Sequence, residues 1–119
     1  MSEEEFPVRW SGATAVVELP AEVDLTVADA AREAMLAALN QGAALLVADM
    51  TATTFCDSSG ITAIVRAARR ASAGGALVRV AAASPAVLRV FSLVGIDRLI
   101  EIRPTVSDAL GPVPAQEQT

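Results

Sequence analysis

With 119 residues the chain has room for one compact domain and too few for two. Its 14 acids outnumber its nine bases, all of them arginine, and the net charge of -5 excludes the basic footprint of a general nucleic-acid binder. Histidine is absent, which removes the commonest general base and metal ligand, and the lone cysteine, Cys56, cannot close an internal disulfide.

The opening Met-Ser-Glu-Glu-Glu lacks the charged-then-apolar layout of a signal peptide. The unpaired cysteine fits a reducing compartment, so a cytoplasmic protein with no membrane insertion is expected. Phe6 to Trp10 and Ala13 to Leu19 read as two strands joined at Ser11-Gly12, a hairpin signal, and Pro20 closes the second. Thr26, with Asp29 three residues on, predicts a capped helix whose inner face carries Val27, Ala31, Ala34, Met35 and Ala38 and which Gly42 stops. Ala44 to Met50 is a continuous apolar run, as in a strand covered on both faces. A loop over Thr51 to Ser58 precedes a second helix, about Ser59 to Ala73, with Ile61, Ile64, Val65 and Ala68 inward and Arg66, Arg69 and Arg70 on a solvated face. Ala76 to Ala81 is another buried strand. Ser84-Pro85 starts a third helix that ends at Gly95, Leu99 to Ile102 is a short strand, and Thr105 with Asp108 starts a last helix. Residues 1–110 form the expected domain, and Gly111 to Thr119 reads as a flexible tail.

Strands alternating with helices after a hairpin predict an α/β fold with a mixed, mostly parallel sheet and helices packed on it. The most informative stretch is Asp57-Ser58-Ser59-Gly60, delivered by a strand and loop to a helix start. Free backbone amides and the positive end of the helix dipole favour an anion there. Gly60 leaves the backbone open to another molecule, and Asp24 ends a second strand-to-helix loop that can gather at the same end of the sheet. Each residue also has a plainer role. Ser59 suits a helix cap, Asp57 a dipole-complementing acid, Asp24 a loop cap, Ser58 a structural hydroxyl and Cys56 a packing residue.

Asp49, Phe55 and Asp57-Ser58-Ser59-Gly60 with Ile61, together with Glu22-Val23-Asp24-Leu25 and Phe91, Val94-Gly95-Ile96 and Leu99, resemble the STAS domain family over about Val8 to Leu110. Within the family the likeness is to stand-alone anti-sigma-factor antagonists. Ala21 departs from the glycine usual before Glu22. The resemblance implies a non-enzymatic partner switch with no cofactor and no metal. The unphosphorylated protein binds an anti-sigma factor that is also a serine kinase and frees the sigma factor. Phosphorylation of Ser59 blocks that binding, and a serine phosphatase resets it. Asp24, Asp57, Ser58 and Gly60 are the implied docking residues. Two other readings stand beside it. A phosphorylation-independent STAS adapter subunit of a transporter or signalling assembly would use the same loop for docking only. A nucleotide-binding enzyme is disfavoured, since the chain has no histidine, no lysine and no Walker-type Lys-Ser/Thr pair.

Overall fold

A computed structural model describes residues 6–112. Strand β1 (Val8–Ser11) and strand β2 (Thr14–Glu18) form the expected antiparallel hairpin. It turns on Gly12-Ala13, one residue later than the sequence suggests, because Gly12 takes a positive φ of 58°. A two-residue strand β3 (Glu22–Val23) leads into helix α1 (Leu25–Asn40), then strand β4 (Leu45–Met50) and a second two-residue strand β5 (Phe55–Cys56). Helix α2 (Ser58–Ala73), strand β6 (Leu77–Ala82), helix α3 (Pro85–Val94), a 3-10 turn (Ile96–Arg98), strand β7 (Glu101–Arg103) and helix α4 (Val106–Ala109) complete the order.

The main sheet runs β1-β2-β4-β6-β7, parallel except for β1, so the fold is the mixed, mostly parallel α/β sheet that the alternation predicts. The last strand lies later than the expected Leu99 to Ile102, because Ile96–Arg98 winds into a 3-10 turn after Gly95 ends α3 in the left-handed conformation. The expected loop over Thr51 to Ser58 contains β5, which pairs in parallel with β3 (Glu22 opposite Phe55, Val23 opposite Cys56). Among the described residues no helix is long and apolar enough to cross a membrane.

Alternation within the strands divides the core in two. Val17, Leu46, Ala48, Val80 and Ala82 face α1, α2 and α3, where Met35, Ile64 and Phe91 are fully packed. The alanines Ala31, Ala38, Ala63, Ala67 and Ala71 keep α1 and α2 close to the sheet and to each other. Val16, Leu45, Val47 and Ala81 face the other way, beneath α4. Arg79 shares that second face and is 2% exposed. Its guanidinium lies 3.0 Å from Glu101 and donates to the carbonyls of Ala109 (2.9 Å), Gly111 (2.7 Å) and Pro112 (2.9 Å). The first two residues of the expected tail are thus tied to the sheet, and 113–119 lie outside the described residues.

Candidate functional site

Both short strands of the small sheet end where a long helix begins, so the β3–α1 and β5–α2 junctions stand side by side. Asp24, Asp57, Ser58, Ser59 and Gly60 are thereby gathered at one end of the molecule. The helix caps are acids. Asp24 is the cap of α1 where Thr26 was expected, because its extended backbone lets Oδ1 accept both the Thr26 amide (2.9 Å) and the Thr26 hydroxyl (2.6 Å). The Thr26 hydroxyl does most to hold the Asp24 carboxyl below the usual carboxylate range; desolvation opposes it, and weaker bonds from backbone amides add to the lowering.

Asp57 caps α2, its Oδ1 accepting the amides of Ser59 (2.9 Å) and Gly60 (3.1 Å). Its Oδ2 accepts the Leu25 amide at 3.2 Å, which joins the first turn of α1 to the first turn of α2. This changes the expected anion site. The amides of Ser59 and Gly60, open on the sequence reading, already hold a carboxylate, so an arriving phosphate meets Asp57 there. Ser58, the first helical residue, is exposed, and Ser59 is half-buried.

Gly60 is also corrected. It is buried, and the space beside its Cα is filled. A Cβ there would lie 2.7 Å from Cys56 Sγ, 2.8 Å from Val23 Cγ1 and 2.8 Å from the Val23 carbonyl oxygen. The glycine serves close packing of α2 on the small sheet and leaves no opening for a second molecule. Cys56 is the packing residue of the plainer reading. Burial, reinforced by the neighbouring Asp57 carboxylate, pushes its thiol up to about 12.

The approach to the site is pinned from below. Asp49, next to last in β4, accepts the Thr51 amide (3.0 Å) and hydroxyl (2.7 Å), turning the chain. The buried Thr53 hydroxyl donates to the Pro20 carbonyl (2.7 Å), and the Thr54 amide to the Ala21 carbonyl (2.8 Å). Ala21 is exposed and its carbonyl does the holding, so its methyl group is accommodated.

Sequence reasoning missed three features around Ser59. Leu25 and Phe55, which neighbour the capping aspartates along the chain, are exposed by 75% and 50%. A cleft of about 320 Å³ opens between the first turns of α1 and α2, bordered by Ser58, Ser59, Arg32 and Arg66. The three arginines of α2 are exposed, as expected, but they have different neighbours. Arg66 borders this cleft, Arg70 donates to Asn40 (2.7 Å) at the far end of the helix pair, and Arg69 borders a separate hollow with Leu99. The available signal was the spacing. Positions 25, 28, 29 and 32 on one helix and 59, 62, 63 and 66 on the other are both i, i+3, i+4, i+7 rows starting just after a capping aspartate.

Comparison with known proteins agrees with this architecture. The solved structure of an anti-sigma factor antagonist from Mycobacterium paratuberculosis is 27% identical, covers 89% of this chain and 90% of its own, and superposes with a TM-score of 0.81. SpoIIAA in its unphosphorylated form is 23% identical over 87% of this chain and 92% of its own, with a TM-score of 0.73. The Bacillus cell fate determinant SpoIIAA in its phosphorylated form is 22% identical over 87% and 96%, with a TM-score of 0.67. No curated protein matches the chain. The family model of the STAS domain matches residues 6–109, nearly the whole described chain, and the protein therefore belongs to the STAS domain family.

Proposed function

We propose that this protein is an anti-sigma-factor antagonist working in a partner switch, with Ser59 as phosphoacceptor. The observation that carries the reading is the likeness along most of both chains to an antagonist, at 27% identity, combined with a serine at the start of α2 whose amide is held by the Asp57 carboxylate. In its unphosphorylated form the protein binds an anti-sigma factor serine kinase and releases the sigma factor. A serine phosphatase restores that form. The chain itself performs no chemistry; it is the kinase's substrate and ligand, and it acts in the cytoplasm without touching nucleic acid.

Electrostatics supports the switch. Phosphorylation adds about -1.5 to -2 charges at neutral pH. In a packed interface that charge would sit among Asp24 and Asp57 and lose its hydration. A penalty of about 4 kcal/mol weakens binding roughly a thousandfold. A charge added at the contact surface suffices, with no change of fold. Asp24, Asp57 and Ser58 border the surface offered to the kinase, and Gly60 acts from beneath by holding α2 against β3.

The test uses Ser59→Ala and Ser59→Asp proteins as immobilised baits in lysate of the native host, with captured proteins identified by mass spectrometry. The Ala bait is expected to retain a serine kinase of the anti-sigma type and the Asp bait to lose it. Equal capture by both baits would overturn the switch and leave a phosphorylation-independent adapter.

A further inference from the structure

We propose that the cleft between α1 and α2 is a receptor for the phosphate monoester carried by Ser59, with Arg66 as its principal ligand and Arg32 as its second. This rests on the reading of Ser59 as phosphoacceptor and adds where the phosphate goes once it is attached.

The helix start cannot take it. The amides of Ser59 and Gly60 are occupied by Asp57 Oδ1, and Asp57 stays in place because its other oxygen holds the Leu25 amide. A dianion on Ser59 must therefore find its counter-charge elsewhere. The cleft supplies it. Ser59, Thr62 and Arg66 lie on one face of α2 at i, i+3 and i+7, and Ala28, Asp29 and Arg32 line the facing wall on α1.

Two helical turns separate Ser59 from Arg66, about 10 Å along the axis. The Cα–Cβ bonds of a helix tilt toward its N-terminus, so the Arg66 side chain extends back over the turn that carries Thr62, toward Ser59. Ser58, one residue earlier, borders the same cleft but is the more exposed of the two serines. Among the described residues Arg66 has no acidic partner within 4 Å, so its guanidinium is available. Arg32 is held by exposed contacts to Asp29 (3.2 Å) and Glu33 (3.4 Å), which a phosphate can displace because it offers a guanidinium a bidentate, doubly charged acceptor. The cleft walls carry two guanidiniums and one carboxylate; a bound phosphate makes that patch net negative beside the exposed Leu25.

The charged groups around Ser59 make the idea testable by sign. Asp24, Asp29 and Glu33 on the α1 side and Asp57 on the α2 side raise the second pKa of a phosphate, whereas engaged Arg66 and Arg32 lower it from its ordinary value of about 6. Phosphoserine is installed at position 59 during translation, so no kinase is needed, and the phosphate is titrated by phosphorus NMR beside a phosphoserine peptide in the same buffer. The expected result is a pKa below that of the peptide, rising by about half a unit or more in Arg66→Gln and recovering partly in Arg66→Lys. A pKa at or above the peptide's in the unsubstituted protein, which needs no variant to fold, overturns the proposal, as does an unchanged value in a folded Arg66→Gln. Failure of the switch itself reads out separately, as equal capture by the Ser59→Ala and Ser59→Asp baits, and leaves this titration unaffected.

Discussion

Replacing Gly60 with alanine tests the packing at the base of the site. The added methyl carbon meets three atoms at 2.7–2.8 Å, about 1 Å inside ordinary contact distance. Two of them, Cys56 Sγ and Val23 Cγ1, belong to short side chains walled in by the core. The third, the Val23 carbonyl oxygen, is backbone of β3 and accepts the Asp57 amide at 3.2 Å, so its retreat loosens the cap of α2 as well. Overpacking of this kind costs about 1–3 kcal/mol, and backbone involvement puts Gly60→Ala near the upper end. Alanine returns about 1 kcal/mol through its better helix propensity. The net expectation is a loss of about 2 kcal/mol, or roughly 8 °C in Tm for a domain of this size. Urea unfolding and calorimetry measure both quantities. Adding Cys56→Ala should recover only part of the loss, relative to Cys56→Ala by itself, since it relieves one contact of three. A Gly60→Ala protein as stable as the parent, or a full recovery in the double variant, would refute the close-approach argument.

Asp24 has a folded-state pKa below its ordinary value, so the unfolded chain binds more protons in the acid range. Its contribution to stability is present above that ordinary value and is lost as pH falls through the folded-state pKa. Asp24→Asn should therefore flatten the acid limb of a Tm-against-pH curve, and an unaltered limb contradicts it. Cys56, raised to about 12, has the opposite sign. Its contribution is complete below the unfolded thiol's pKa and fades as pH climbs from there toward about 12. At pH 8 the native thiol should resist an alkylating reagent at least tenfold better than the urea-unfolded chain, and equal labelling rates would show that it is not sealed. Arg79→Met leaves the carbonyls of Ala109, Gly111 and Pro112 without their donor and removes one of the two arginines beside Glu101, which keeps Arg103, for an expected loss of about 2–4 kcal/mol by denaturant unfolding. Hydrogen exchange should accelerate in α4 before it does in β4, and uniform acceleration would argue against a local clasp.

The sequence by itself determined the hairpin, the alternation of strands and helices, and the order in which the site residues arrive, because hydrophobic period, glycines and capping acids are local signals. Phe55, Cys56 and Glu22, Val23 could not be recognised as strands. Two residues have no period, and each segment becomes a strand only by pairing with the other, 33 positions away. The cap of α1 was missed by two residues since Asp24 and Thr26 are both good caps, and the Asp24–Thr26 hydrogen bonds decide between them. Gly60 as an opening and Gly60 as a packing contact look the same in sequence; the difference lies in Val23 and Cys56, which only the pairing of β3 with β5 brings over it. Likewise Arg66, Arg69 and Arg70 are one charged cluster along the chain, and Arg79 is a lone polar residue in an apolar strand. The packing of α1 against α2 makes Arg66 a wall of the Ser59 cleft, and the return of the chain after α4 gives Arg79 its carbonyls, because contacts between distant segments exist only once the sheet has closed.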